Sequence, residues 1–483
     1  MNKPSAWKHY HTIWLMLFLI WMFSYLDRAI TGPIVSWMVK SNASFLEGVP
    51  MPHALGGLIG SMFFAGYMLT QFPAGYLGDK YGRKIMIGIS AIWAGIATIV
   101  SGAVHSITAF IGARVLTGLG EGAYYSNDRA LIAEVTPKEK KGLGMGVVFV
   151  GLAAGLTIAN VLTPYLLDWL KALGTNAWRP PFLIFGVATL ILGICFVVFV
   201  KRKDPEGNPL PEMPGAYKSA TLRLALYAIL FMAVVMTAYL LPLYMADKCQ
   251  WSKMYLQTTQ AVLILLAAFL LVIAIYWKLG KKSAEILKDK NLILMYVSAI
   301  PILYMLWFFG SWILLVISDA SKTGIVSAAF YAGLFGVANA IGYPLGGKIS
   351  DALLARGISR KIQYFWICLV TTLLTFTLAA YLFKGGQDPL ALGAIMFAIG
   401  VPFAAMQTVH MTLTSDLAPP HLMGQAFGMW NLVAEIGAIL SPVVSGTLRD
   451  LTGDWVYAIV VAGALLAISA ILMLFVGRQP SHP

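Results

Sequence analysis

The 483-residue chain is expected to be an all-α polytopic membrane protein with fourteen spans: two six-helix bundles, an extra helix pair between them, and both termini in the cytoplasm. Three observations predict this. First, 59% of the residues are hydrophobic and only 11% charged, against about 25% charged in an ordinary soluble domain, and the mean hydropathy is +0.77. Second, apolar runs long enough to cross a bilayer, about 20 residues each, recur along the whole chain. Third, a glycine-rich junction followed by basic residues occurs once in each half. So little charge cannot cover a soluble enzyme, a disordered chain or a nucleic-acid binder. The net charge of +13 therefore reads as orientation signal between spans, with no nucleic-acid partner. Cys195, Cys249 and Cys368 lie far apart, so neither a disulfide framework nor a metal site is implied.

The runs cover 12–38, 54–77, 84–104, 108–134, 142–169 and 181–200, then 222–245 and 258–279, then 291–317, 323–347, 362–383, 389–413, 424–448 and 455–477. The first is too long for a cleavable signal peptide and contains Asp27 and Arg28. With the N-terminus inside, 23 of the 34 Lys and Arg residues fall in cytoplasmic segments, 8 outside, and Arg28, Arg114 and Arg129 within spans. That asymmetry sets the orientation. The repeated junctions are Gly75-Tyr-Leu-Gly-Asp79-Lys80-Tyr-Gly82-Arg83-Lys84 and Gly342-Tyr-Pro-Leu-Gly346-Gly347-Lys348-Ile-Ser-Asp351, read as loops after the second and tenth runs. Asp79 and Asp351 are 272 residues apart, too far for six helices and right for six plus two. The expected units are an N-terminal bundle over 1–200, a cytoplasmic linker over 201–221 with Pro205, Pro211 and Pro214, the inserted pair over 222–290, and a C-terminal bundle over 291–483.

Charges inside spans are costly and mark function or obligatory pairing. Asp27 and Arg28 are adjacent, so they point about 100° apart and each needs a partner elsewhere. The fourth span offers Arg114 and Glu121 on one face, about 10 Å apart, which a small anion or the Asp27–Arg28 pair could bridge. Arginine stays charged and its fork matches a carboxylate, whereas a carboxyl taken out of water holds its proton more readily. Asp27 and Glu121 are therefore the candidate proton carriers, and Arg28 and Arg114 the candidate anion-binding groups. A static charge network joining two helices is the other reading of the same four residues. Tyr67 and Gln71 share a helical face and suit a hydroxylated ligand, or simply pack. Tyr25 neighbours the acid pair. Glu435, with Asn431 one turn before it, sits mid-span without a basic residue nearby and is a candidate for substrate or a second proton. Asp128 and Arg129 read as a structural pair at the membrane edge. Gln407, His410, Asn160, Tyr296, Tyr331 and Asn339 read as packing groups more readily than ligands.

These residues carry a resemblance. The run from Gly75 to Lys84 is similar to the loop signature of the major facilitator superfamily, and Arg114-x-x-x-Gly118 resembles its fourth-helix motif. Tyr25-Leu-Asp27-Arg28-Ala, Tyr67-x-x-x-Gln71-x-Pro73 and Gly118-x-Gly120-Glu121-Gly122 resemble the anion:cation symporter family of sugar-acid and sialic-acid carriers. The resemblance implies alternating access by rocking of the two bundles, proton titration at Asp27 and Glu121, anion steering by Arg28 and Arg114, and a substrate wall including Tyr67. Asp79 and Arg83, with Asp351 at the matching place, would belong to a cytoplasmic gate. The chain departs from the family in its inserted pair, in Ser126 where a proline usually follows the acidic motif, and in Glu435. It also has Leu152 after Gly151, where polyol carriers hold a glutamine, which implies a less hydroxylated substrate.

The expected function is proton-coupled uptake of a small organic anion at the bacterial inner membrane, by a monomer in contact with lipid and without a cofactor beyond the proton gradient. The competing expectation is proton-coupled export of an amphipathic compound such as a drug, lysolipid or siderophore, as in spinster-like carriers. No nucleophile elbow, phosphate loop or metal cluster points to an enzyme.

Overall fold

The computed structural model describes residues 7–49, 51–137, 141–203, 208–209, 215–252, scattered positions within 255–277, 281–419 and 422–477. Its helices are α1 (His9–Ser41), α2 (Pro52–Tyr81), α3 (Arg83–Ala103), α4 (Ile107–Val135), α5 (Lys141–Trp169), α6 (Arg179–Phe199), α7 (Ala216–Cys249), a short α8 (Lys281–Lys288), α9 (Lys290–Ser321), α10 (Ile325–Ala355), α11 (Arg360–Phe383), α12 (Pro389–Leu417), α13 (Met423–Thr452) and α14 (Val456–Leu474). No strand occurs among the described residues; one isolated bridge joins Lys203 and Pro209. Among the described residues, eleven of the helices are long and apolar enough to cross a membrane. Thirteen of the fourteen expected runs coincide with described helices, and the run 258–279 falls largely outside the described residues.

The repeat is visible in space. In the first half α1 packs on α5, α2 on α4, and α3 on both α4 and α6; in the second half α9 packs on α13, α10 on α12, and α11 on both α12 and α14. The halves then meet through α2 against α13 and α5 against α10, which exchange roles under the same correspondence. Glycine makes the close pairs possible, since small residues let helix backbones approach. A Cβ on Gly118 or Gly122 would stand 2.0 and 2.2 Å from the carbonyl oxygens of Phe63 and Tyr67 on α2, and one on Gly342 would stand 2.3 Å from that of Val401 on α12.

One expectation needs correction. Most of each glycine-rich junction read as a loop is helix: Gly75–Asp79 lies within the last turns of α2, and the stretch from Gly342 to Asp351 lies within α10. Basic and polar residues end a buried span without ending its helix, because the backbone hydrogen bonds continue into the interface. The true break in the first junction is Gly82, whose φ of +110° only glycine adopts without strain. In chain order, as expected, α7 follows the first bundle and precedes the second. It lies on the N-terminal one, with Ala216, Ala220 and Leu224 buried in a cluster with Ala74, Leu77, Met86 and Ala123.

At one end the bundles are clamped together. Asp450 of α13 accepts from the free N-terminal amides of α2, at 3.4 Å from His53 N and 2.7 Å from Ala54 N, and lies 2.6 Å from His53 Nδ1. Asp319 of α9 pairs with Lys40 at 2.7 Å and Arg449 at 3.2 Å and accepts from Trp455 Nε1 at 3.0 Å. Beneath this latch a Cβ on Gly57 would lie 2.1 Å from the Pro442 carbonyl oxygen, and one on Gly32 2.6 Å from that of Gly310. The contact between bundles is backbone on backbone.

Gly57→Leu is therefore expected to open the latched end while each bundle stays folded. In a background lacking Cys195, Cys249 and Cys368, a cysteine at Thr31 should react with a water-soluble maleimide several times faster in the Gly57→Leu protein. An unchanged rate would show that this close approach does not hold the end shut.

Candidate functional site

The four charges foreseen on α1 and α4 are all buried, with Asp27, Arg28, Arg114 and Glu121 between 0% and 5% exposed. They pair crosswise. Arg28 bonds Glu121 Oε2 through Nη2 at 2.8 Å and Nε at 3.0 Å, and Arg114 Nη1 stands 3.4 Å from Asp27 Oδ1. The divergence of neighbouring helical side chains explains why Asp27 and Arg28 reach different partners. Ser24, one turn before Arg28, completes the first pair: its hydroxyl donates to Glu121 Oε2 at 2.7 Å and accepts from Arg28 Nη2 at 3.1 Å. Asp27 Oδ2 and Glu121 Oε1 are buried without a hydrogen-bond partner.

Aromatic rings enclose the guanidinium groups. Arg28 Cζ is 4.4 Å from the ring centres of both Tyr25 and Tyr67, and Arg114 Cζ is 5.0 Å from that of Phe63. Such contacts strengthen where water is excluded. The close α2–α4 packing at Gly118 and Gly122 brings Tyr67 to Arg28, which gives the Gly-x-Gly-Glu-Gly pattern a mechanical reason.

The second bundle supplies the opposite wall. Trp307 of α9 stacks on Tyr25 with centroids 6.2 Å apart and touches Phe64 at 4.4 Å. Asn431 Nδ2 donates to Gln71 Oε1 across the bundles at 2.6 Å. Glu435, 3% exposed, lies one turn further along α13, within electrostatic range of Arg28, Tyr25 and Tyr67. A small cavity with room for about one water separates this layer from the latch, lined by Arg28, Thr31, Phe64, Trp307, Ser311 and Trp312.

Other candidates lie apart from this layer. Asp351, at the end of α10, pairs with Arg360 at 2.7 Å, and Arg360 pairs with Asp416 at 2.6 Å, tying three helix ends within one bundle. Arg83 begins α3, while the Asp79 side chain lies outside the described residues. Asp128 corrects the edge reading. It is fully buried, accepts from Trp21 Nε1 and sits 3.3 Å from Arg129, which lies 3.9 Å from the Phe149 ring centre. His410 is held between Ser298 at 2.8 Å and Trp430 at 3.0 Å. Ser24 and Trp307 were not singled out from sequence; the four-residue spacing of Ser24 to Arg28 was the available signal for the first, and nothing local marks the second.

A model of the Major Facilitator Superfamily matches residues 17–332 and 318–483. The probable galactarate/D-glucarate transporter of Bacillus subtilis is 25% identical, over 96% of this chain and 90% of that protein. The D-galactonate transporter of Escherichia coli O6:H1 is 24% identical, over 98% of this chain and 94% of that one. Among solved structures, a D-xylose–proton symporter superposes with a TM-score of 0.68 at 14% identity, covering 98% of this chain and 99% of that one. A bacterial homologue of the human lysosomal transporter Spinster, inward-facing and occupied, gives 0.67 at 15% identity, covering 98% of both chains. These two likenesses fix the fold.

Arg114→Gln leaves the Asp27 carboxylate buried with its guanidinium removed and is expected to cost about 3–5 kcal/mol, seen as a lower unfolding temperature in detergent. The double variant Asp27→Asn/Arg114→Gln should recover much of the loss. Additive losses would show that the two side chains are not energetically paired.

Proposed function

The chain belongs to the Major Facilitator Superfamily and is a membrane transporter rather than an enzyme; from that premise we propose that it carries a small organic anion of the sugar-acid class into the cell together with protons. One observation carries the reading: two buried acids, each paired with a guanidinium from the other helix and each keeping one oxygen without a partner. A proton taken up by either acid would be carried on Asp27 Oδ2 or Glu121 Oε1, the oxygens that the guanidiniums leave without a partner. Arg28 is the group a substrate carboxylate would engage, because it faces both the second bundle and the cavity beside Trp307. Anion arrival at Arg28 weakens its hold on Glu121, so Glu121 keeps the proton. Coupling follows from that exchange of partners. Arg114 keeps Asp27 in place, and Tyr25, Tyr67, Gln71, Asn431 and Glu435 form the walls.

The anionic sugar acids named for the relatives support the substrate class. The proposed arrangement has fourteen spans and cytoplasmic termini in the bacterial inner membrane, with 1–200 and 291–483 as the rocking bundles. In that orientation the Asp319–Asp450 latch closes the outer end, and Asp79, Arg83 and Asp351 belong to the cytoplasmic gate. The proton gradient is the sole driving agent, with no cofactor, and the protein acts as a monomer.

Proteoliposomes with an acidic exterior are expected to accumulate D-galactonate or D-glucarate above equilibrium, and accumulation should fade as the outer pH rises and proton supply drops. Asp27→Asn and Glu121→Gln should each abolish accumulation while sparing substrate exchange. If both variants concentrate substrate normally, the acids are not the proton carriers. Proton-driven loss of an amphipathic compound from inward-facing vesicles, with no sugar-acid uptake, would favour export instead.

A further inference from the structure

The stripe that α4 turns toward α1 continues past the four central charges. Going away from the Asp319–Asp450 latch, Arg114 meets Asp27, Glu121 meets Arg28, Asp128 meets Trp21 and Thr136 meets Trp14. Asp128 is fully buried, and its carboxylate is fixed by Trp21 Nε1 and, at 2.6 Å, by the amide N–H of Arg129. Neither Asp128 nor Arg129 takes part in the bonding of Arg28 to Glu121.

Arg129 is held differently from the other two intramembrane arginines. Its side chain is 21% exposed, against 2% for Arg28 and 0% for Arg114. Rings grip it: Cζ lies 3.9 Å from the ring centre of Phe149 and 5.5 Å from those of Trp21 and Tyr125. Its one ionic partner among the described residues is Asp128, which approaches Nε at 3.3 Å without making a hydrogen bond there. No hydrogen bond among the described residues uses its two terminal amino groups. A guanidinium held by stacking keeps its planar fork free for a carboxylate.

This fork stands next in line from the central site. Arg28 Cζ lies 5.8 Å from the Trp21 ring that Arg129 also touches, so the two guanidiniums share one indole and are no farther apart than those two distances together. Trp21 packs on Tyr25 at 5.1 Å, and Tyr25 stacks on Trp307 of the second bundle. Tyr125, one turn before Arg129, lies within electrostatic range of Glu435 on α13. Arg129 therefore adjoins the layer where the bundles meet, on the side away from the latch. An anion leaving Arg28 in that direction needs a second countercharge, because the protein interior screens charge poorly.

Resting on the transport reading above, we propose that Arg129 is a second carboxylate-binding station, which takes the organic anion from Arg28 and passes it toward the unlatched end. Passage requires each site to bind firmly enough to admit the anion and weakly enough to release it. Asp128 supplies the weakness, since its fixed carboxylate offsets part of the Arg129 charge.

The test is counterflow in proteoliposomes of the full chain, with D-galactonate or galactarate, whichever the unmodified protein exchanges faster. Asp128→Asn, Asp128→Asn/Arg129→Gln and Asp128→Asn/Arg129→Lys are compared, so that no variant strands a buried acid without its cation. Relative to Asp128→Asn, the Gln double variant should run about tenfold slower at saturating substrate, through loss of a charge-assisted contact made during passage. Its equilibrium affinity by titration calorimetry should stay within about twofold, because Arg28 still holds the anion. The Lys double variant keeps the charge and should recover most of the rate. Equal rates in all three, or a Lys variant no faster than the Gln one, would overturn the proposal. A second readout does not depend on turnover. In the background without Cys195, Cys249 and Cys368, Phe149→Cys should react with a water-soluble maleimide several times more slowly when the same sugar acid is bound. Adding Asp128→Asn/Arg129→Gln should remove that protection; protection that survives without Arg129 would overturn the station while leaving carboxylate transport standing. Exchange of neither sugar acid by the unmodified protein would bring down the transport reading and this proposal with it.

Discussion

Two carboxyls and two guanidiniums lie buried in the protein interior, and the crosswise bonding of α1 to α4 is what makes that burial tolerable. The same two helices are joined along most of their length by polar contacts: Trp14 to Thr136 at 3.0 Å, Tyr124 to the Leu17 carbonyl at 3.1 Å, and Trp21 to Asp128. In hydrocarbon, where apolar contact alone distinguishes poorly between helix pairs, this ladder sets which helices are neighbours and in what register. The arrangement is neutral as a unit but not saturated. One oxygen of each acid and the Arg114 Nε remain unpartnered. The static-network reading and the proton-carrying reading are thus compatible, since the bonds that hold the helices leave vacant positions for a proton.

Rigidity and movement are divided between different contacts. Within each bundle, glycines place backbone against backbone at α2–α4 and α10–α12, which favours motion as solid bodies. Between bundles, closure at one end depends on a few ion pairs and on glycines that exclude side chains altogether. Such a joint suits a two-state element: its bonds exchange for water when the end opens, so neither state is overwhelmingly favoured.

The two bundles share a scaffold and differ in chemistry. The first holds Arg28 and Arg114, the second holds amides, a histidine locked by Ser298 and Trp430, and the buried acid Glu435. Repetition supplies a shared scaffold, and divergence supplies two chemically unlike walls where the halves meet. The added helix α7 leans on the outside of the first bundle, leaving the interface between the halves free.

The sequence by itself determined the membrane class, the order of the long helices, the two-bundle repeat and the four buried charges, because hydropathy and helical spacing are local properties. It also required that Asp27 and Arg28 find separate partners on the fourth span. Which partner each found, the part played by Ser24, the position of Glu435 opposite Arg28 and the seat of α7 depended on how helices pack against one another. Those contacts join residues as distant as Gln71 and Asn431, and no periodicity along the chain records them. The glycine-rich junctions were misread for the same reason: composition reports where a span loses its apolar character, whereas the backbone hydrogen-bond ladder decides where the helix stops.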